Sequence, residues 1–303
     1  MTKSAIFSLL PVRATSTVAS VRIAKWMSNT LNIPLYDNAS ILQEDRLDNL
    51  FIVNGSTAFC KYLAELSLYI PTTRNVIWVQ NDYTLPPPKA ESMALSPFRR
   101  AFASRHLVPH YWTTCRENST LTDNSAWVNW NVLGYDTTTP KSTHRGTDYF
   151  YYGAYRQRRE KEFRYIADAA GSVTVSSTSK QFDSYLGFNR VEPIRAFLHK
   201  ELGSHGLGIY CQDDRSTGAE HCPATRFYEM LSAGLPMVFT PGCVSTLGRY
   251  GYDVSPYVLT RERRLWLLEN AEMIAVQQYM DWNSDFLTPL TQQVKALYDA
   301  LNG

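Results

Sequence analysis

Arg226 and Glu229 stand three residues apart, so in a helix their guanidinium and carboxylate leave the same face. About seventy residues upstream, Arg156 and Lys161 flank four residues and add two cations just after an aromatic run that ends at Gly153. Fixed cations beside a helix N-terminus are what a phosphate group needs. Backbone N–H groups point at the anion, and charged side chains meet it without reorganising. Such cations act most strongly where negative charge grows in a transition state. Arg158, Arg159 and Arg164 lie in the same run, and a solvated basic helix face is the plainer reading of it.

The elements that must hold these groups are readable from the pattern. Pro223 suits an entry turn, and Thr225 is expected to act as N-cap. Phe227, Met230 and Leu231 then form an apolar stripe at helical spacing. Gly234 and Pro236 end the helix, and Met237-Val-Phe239 continues as a short buried strand. Phe150-Tyr-Tyr152 reads as a strand, followed by a charged helix with Phe163 inward. Ser172–Thr178 alternates and reads as the next strand with a serine-rich exit. Gly208–Tyr210 is another strand, and Asp213 and Asp214 after it are read as loop residues, not metal ligands.

The first half shows the same rhythm. Ala5–Leu10, Leu50–Val53 and Val76–Gln80 are expected strands. Ser16–Met27, with Val18, Val21, Ile23 and Trp26 available to the core, and Ala58–Leu68 are expected helices. Alternating strands and helices imply parallel sheets with ligands outside the carboxyl ends of the strands. Asn54 and Asp82 stand at two such ends, and Pro86-Pro-Pro88 stiffens the segment after Asp82. From Arg261 the chain is helical, with Leu265, Leu268, Ala271 and Ile274 at helix spacing. A last helix, Leu290–Leu301, opens after Pro289.

The Glu229…Gly234-x-Pro236 segment resembles the donor-binding signature of GT-B glycosyltransferases, and Gly153…Arg156…Lys161 is similar to their strand-to-helix cation pair. The wider pattern also resembles the phage DNA glucosyltransferases. It runs from Trp78-Val-Gln-Asn-Asp-Tyr83 through Asn129-Trp-Asn131 to Ala224-Thr-Arg-Phe-Tyr-Glu229. The resemblance implies an α/β protein of GT-B type, with two Rossmann-like domains facing across a cleft and a C-terminal helix crossing back to the first. The expected boundaries are 1–145 for the acceptor domain, 146–285 for the nucleotide-sugar domain and 286–303 for the returning helix. It implies that Glu229 binds the donor ribose, that Arg226 supports the phosphates, and that Arg156 and Lys161 clamp the diphosphate behind Gly153. Ser176 and Ser177 would lie beside the base. Retaining GT-B enzymes carry two glutamates with seven residues between them. Here His221 takes the first position and Glu220 is one off, so the stereochemistry stays open.

Length and composition set bounds. The 303 residues fit two domains, and 44% apolar with 19% charged residues is the mix of a globular protein. No apolar run reaches membrane-spanning length. Five cysteines without paired spacing argue for reduced thiols inside a cell, and none sits in a zinc-type cluster. A net charge of +2 announces no nucleic acid, but its placement is informative. Arg99, Arg100, Arg105 and Arg116 cluster with His106 and His110, and Lys141, His144 and Arg145 form a second group. Such a surface suits a phosphate backbone; scattered surface charge is the alternative.

The combined expectation is a monomeric hexosyltransferase in the cytoplasm of a phage-infected bacterium. It needs no cofactor beyond a nucleoside-diphosphate sugar, a UDP-sugar first among them. The acceptor is the hydroxymethyl group of 5-hydroxymethyluracil or 5-hydroxymethylcytosine in duplex DNA. Asp82 is the expected catalytic base if the reaction inverts. A flipped acceptor base would leave a gap for Tyr83, Tyr111 and Trp112 to line, unless these are core residues. Two rivals stand beside this reading: a GT-B enzyme acting on a cell-surface glycan or small molecule, and a Rossmann-like binding module without catalysis.

Overall fold

A computed structural model describes residues 3–8, 19–37, 47–53, 73, 75–80, 110–114, 124–135, 146–193, 201–212, 222–282 and 285–303. The chain divides into two compact units, Met1–Leu133 with Asp285–Gly303, and Gly134–Ser284.

The first unit is built on a parallel sheet of β1 (Ser4–Ser8), β2 (Leu35–Tyr36), β3 (Asn49–Val53), β4 (Asn75–Gln80), β5 (His110–Thr113) and β6 (Ser125–Trp127), in the order β2-β1-β3-β4-β5-β6. All five residues of β3 are buried, as a parallel strand covered on both faces requires. Helix α1 (Ala19–Leu31) buries Val21, Ile23, Ala24 and Met27, while Trp26 stays partly exposed and meets Trp130 edge-on. Tyr111 and Trp112 prove to be core residues, each 2% exposed, with Trp112 packed on Phe51 at 5.3 Å. They cannot line a gap in a duplex. His110 opens β5, and burial pushes its pKa down, so it adds no charge to a basic surface at neutral pH.

The second unit is a parallel sheet of β7 (Tyr149–Tyr152), β8 (Val173–Ser176), β9 (Phe188–Val191), β10 (Leu207–Tyr210) and β11 (Met237–Phe239), in the order β11-β10-β7-β8-β9. The chain runs outward through β8 and β9, then returns to place β10 and β11 on the other side of β7. The order therefore reverses between β7 and β10. In open α/β sheets ligands bind at such a reversal, outside the carboxyl ends of the strands. Helix α2 (Glu160–Ala170) follows β7 and turns Phe163 fully inward. Helix α3 (Thr225–Ala233) lies directly on β10. A Cβ at Gly208 would stand 2.5 Å from Met230 Sδ, which is why this strand carries a glycine.

Helix α4 (Cys243–Gly248), α5 (Arg264–Glu269) and α6 (Ala271–Trp282) complete the unit. The buried stripe of the last two is Leu267, Ala271, Ile274 and Trp282, and Leu265, one of the residues at helix spacing, is 62% exposed. A break at Asn270 (φ −105°, ψ 17°) sets the register of the stripe. Helix α7 (Leu287–Asn302) belongs to the first unit. Its Tyr298 hydroxyl donates to Ser4 Oγ at 3.0 Å, and Asn49 Nδ2 donates to Asn302 Oδ1 at 2.7 Å. Asp285 accepts the N–H groups of Leu287 and Thr288, so the helix starts before Pro289, which sits harmlessly in its first turn.

Asp148, just before β7, ties the two central strands together at their amino ends. It accepts the Gly206 N–H at 2.9 Å and pairs with His205 Nδ1 at 2.9 Å, and His205 stacks on Phe150 at 3.5 Å. Burial would raise the Asp148 pKa, but His205, the Gly206 N–H and Thr174 outweigh it and hold the carboxyl down at about 2. The folded value lies below the ordinary 3.8. Its contribution is therefore complete above 3.8 and is lost as pH falls through about 2. Asp148→Asn is expected to flatten that part of the stability–pH curve, measured by denaturant midpoints across the acid range.

Candidate functional site

Tyr151 and Tyr152, the last residues of β7, point to opposite faces of the sheet and organise the site between them. The Arg226 guanidinium lies over the strand end. Its Nη1 donates to the Tyr152 carbonyl at 3.2 Å, and its central carbon sits 5.1 Å from the Tyr151 ring and 5.9 Å from the Tyr152 ring. Glu229, one turn along α3 and 6% exposed, accepts the Tyr152 hydroxyl proton at Oε2, 2.7 Å away. Gly153 comes next at φ +132°, a conformation that favours glycine, and a Cβ there would stand 3.7 Å from Arg226 Nη1. The predicted trio Gly153, Arg226 and Glu229 thus converges at the carboxyl end of β7.

A second arginine joins them. Arg159, the residue before α2, donates from Nη1 to the Tyr151 hydroxyl at 3.3 Å, and its buried Nε has no hydrogen-bond partner among the described residues. Tyr151 is wedged in place by Phe163 and Phe182 at 5.3 and 5.7 Å. Two guanidiniums therefore meet at one phenol, and no ion pair among the described residues involves either.

The amino end of α3 completes the arrangement. Ala224, not Thr225, is the N-cap, and it supplies no capping side chain. Thr225 is the first helical residue, and the Ala224 N–H is held instead by the Tyr210 hydroxyl at 2.8 Å. The Phe227 N–H bonds the Ala224 carbonyl at 2.9 Å, and the positive end of the helix beside Arg226, without a side-chain cap, is suited to an anion. Gly234 closes the helix in the left-handed conformation at φ 68°. Among the described residues no cluster of three His, Cys, Asp or Glu is placed to hold a metal ion.

No family model and no curated protein matches this chain. Solved structures do. An alpha-glucosyltransferase in complex with UDP and a 13-mer DNA containing a central A:G mismatch superposes with a TM-score of 0.60 at 10% identity, over 100% of both chains. The fold is GT-B. An alpha-glucosyltransferase with UDP-glucose and DNA containing an abasic site gives 0.58 at 10% identity, covering 98% of this chain and 99% of the other. A third, with UDP and DNA containing a HMU base, gives 0.57 at 9%, covering 98% and 95%.

Within this GT-B chain the remaining expected site residues are spread out. Arg156 is exposed ahead of the short turn Gln157–Arg159, and Lys161 is exposed on the first turn of α2. Ser177 is buried, and its hydroxyl accepts the Ser179 N–H at 3.1 Å, while Ser179 Oγ accepts the Tyr155 N–H at 3.0 Å. These serines shape the exit of β8. Asp82, Tyr83, Arg99, Arg100, Arg105, Arg116, Lys141, His144, Arg145, Asp213 and Asp214 lie outside the described residues. Tyr151, Tyr152 and Arg159 are site residues that the sequence pattern does not single out. The two tyrosines carry a signal, as the last side chains of a strand before a glycine. Arg159 carries none beyond its place in a charge run.

Gly134 is a further constraint. A Cβ there would stand 2.5 Å from the Thr225 carbonyl oxygen and 3.2 Å from Glu229 Cγ. The carbonyl is backbone and cannot swing aside. Gly134→Ala is expected to push the first turn of α3 outward and to cost about 1–3 kcal/mol. Denaturant midpoints measure the loss, and an unchanged midpoint would count against the close approach.

Proposed function

We propose that this chain is a glycosyltransferase that moves a sugar from a nucleoside diphosphate, UDP first among candidates, to the hydroxymethyl group of 5-hydroxymethyluracil or 5-hydroxymethylcytosine in duplex DNA. One observation carries the donor half: Arg226 and Arg159 meet at Tyr151 beside an uncapped helix end, with Glu229 held by Tyr152 next to them. Two cations without paired carboxylates favour a doubly charged anion, and a departing diphosphate gathers that charge as the glycosidic bond breaks. In this reading Arg156, ahead of α2, and Lys161, on its first turn, add their charge to the same diphosphate from exposed positions. Glu229, acceptor-only when ionised, takes the O–H donors of the ribose. Ser177 stands on the base side.

The acceptor half draws on the fold. Structures of the same fold hold UDP together with DNA, one of them with a HMU base. Arg99, Arg100, Arg105 and Arg116 supply phosphate contacts in this reading, and Tyr83 fills the gap left by a flipped base. Asp82 acts on the acceptor hydroxyl. The protein works as a monomer on phage DNA in the host cytoplasm. Among the described residues no helix is long and apolar enough to cross a membrane.

The test is incubation with labelled sugar nucleotides and duplex DNA carrying either modified base, followed by mass spectrometry of the digested nucleosides. A hexose-sized addition on one modified base, absent from unmodified DNA, is the expected result. Donor hydrolysis without a DNA product would overturn the DNA acceptor and point to a glycan or small molecule. The ribose contact is checked separately. Wild-type protein is expected to prefer UDP over 2′-deoxy-UDP by roughly tenfold. Glu229→Ala should bind both weakly and alike, as read by calorimetry.

A further inference from the structure

We propose that Gln212 reads a hydroxyl of the transferred sugar and so helps to set which sugar is accepted; this rests on the donor site described above. Gln212 lies two residues beyond β10, on the β10 side of the reversal in strand order, while Gly153 follows β7 on the other side. It is 4% exposed. Its Nε2 stands 2.9 Å from the Tyr210 hydroxyl, the same hydroxyl that accepts the Ala224 N–H at the uncapped start of α3. The amide is therefore tied to the helix end that carries Arg226 and Glu229.

The other end of the amide is unsatisfied. Gln212 Oε1 is buried with no hydrogen-bond partner among the described residues. Burial pushes the Tyr210 pKa up, so this hydroxyl keeps its proton and can donate it as well as accept. Turning the amide over would let Oε1 take that proton and would put the –NH2 group where Oε1 now stands. The acceptor end of this buried carboxamide thus has no protein partner among the described residues. Buried amides are ordinarily satisfied, so a native protein that leaves one open is reserving it for water or a ligand.

The amide dictates the chemistry of the ligand. It is neutral, so it adds nothing to the charge that Arg226 and Arg159 supply to a diphosphate. A carboxamide has an acceptor and two donors, and a hydroxyl satisfies whichever end is presented because it both gives and takes a proton. Sugar hydroxyls are the groups of a nucleotide sugar that lie beyond the diphosphate from the ribose held by Glu229. A site that hydrogen-bonds a hydroxyl discriminates strongly against an analogue lacking it, since the buried amide is then left unpaired.

The experiment measures binding of UDP and of UDP-glucose, UDP-galactose and UDP-N-acetylglucosamine to the full chain by calorimetry, with Gln212→Leu and Gln212→Asn as variants. Thermal melting checks that each is folded. Gln212→Asn keeps the amide but withdraws it by one carbon, which covers the case that leucine beneath Tyr210 prevents folding. The expected result is a loss of about 10- to 100-fold for the best-bound UDP-sugar with UDP affinity unchanged, and a narrowed spread among the three sugars. A parallel loss for UDP would place Gln212 on the diphosphate and overturn the inference. Unchanged sugar binding in both variants would overturn it as well. If wild-type protein binds neither UDP nor any UDP-sugar, it is the donor-site reading that fails, a result distinguishable from both.

Discussion

Arg226→Ala is expected to lower kcat/KM for sugar transfer by about 10²- to 10³-fold while the protein stays folded. The guanidinium is the one cation among the described residues that touches both tyrosines at the end of β7, and its bond to the Tyr152 carbonyl fixes its direction. A donor fixed before the reaction stabilises a growing charge without having to reorganise, which is why the loss falls on the transition state more than on binding. Arg226→Lys is expected to recover less than about tenfold of it. A lysine cannot spread a planar fork over Tyr151 or keep a carbonyl bond while presenting further N–H groups to a phosphate. The loss of ring contacts costs stability only modestly, about 0.5–2 kcal/mol. Steady-state kinetics with a denaturant midpoint for each variant makes the test. If Arg226→Ala transfers sugar within about threefold of wild type, the anion site is not where this arginine places it. Arg159→Ala probes the same site from the other side of the pair. It should raise KM for the donor, because this guanidinium is held by the Tyr151 hydroxyl and keeps a buried Nε without a partner among the described residues.

How much of the fold and site is legible in the sequence depends on which physical signal each residue carries. Helix α3 and strand β11 are legible, because a stripe at Phe227, Met230 and Leu231 ahead of Gly234 and Pro236 leaves one local solution. The three buried runs that form β1, β3 and β4 are legible for the same reason: short continuous apolar segments bounded by turn residues. Strand β5 is not. His110-Tyr-Trp-Thr113 is too short and too polar at its start to announce itself, and its aromatic residues invite a ligand role that packing against Phe51 forbids. The expected N-cap is off by one residue. Thr225 has the better capping side chain, but the Tyr210 hydroxyl, distant in sequence, already holds the Ala224 N–H. Such a long-range partner leaves no trace in local sequence. Arg159 is the sharpest case. It is chemically identical to its neighbours Arg156 and Arg158, and only the position of Tyr151 sets it apart. Charge type is readable, but charge placement requires the fold.

Asp82→Asn carries the largest expected effect, a fall in transfer of about 10²- to 10⁴-fold, with UDP-sugar affinity unchanged. Strand β4 ends at Gln80 between β3 and β5 and is buried along nearly all its length; Asp82 follows it by two residues in the sequence, and ligands of open α/β sheets bind outside the carboxyl ends of strands. The residues proposed to hold the donor all belong to the second unit, so removing this charge should leave them as they were. Asparagine keeps the shape and loses the ability to take a proton. The acceptor hydroxyl must lose its proton as it attacks, and in that role the acidic limb of the kcat/KM profile of the wild type should disappear in the variant. The anomeric configuration of the product, read from its proton coupling constants, decides which role the carboxylate has. An inverted product makes Asp82 the base, with the loss appearing in kcat. A retained product means that the departing diphosphate takes the proton on the same face. Asp82 then orients the acceptor, and the loss should appear chiefly in KM for DNA. Wild-type transfer rates in Asp82→Asn under both stereochemical outcomes would remove it from the site altogether.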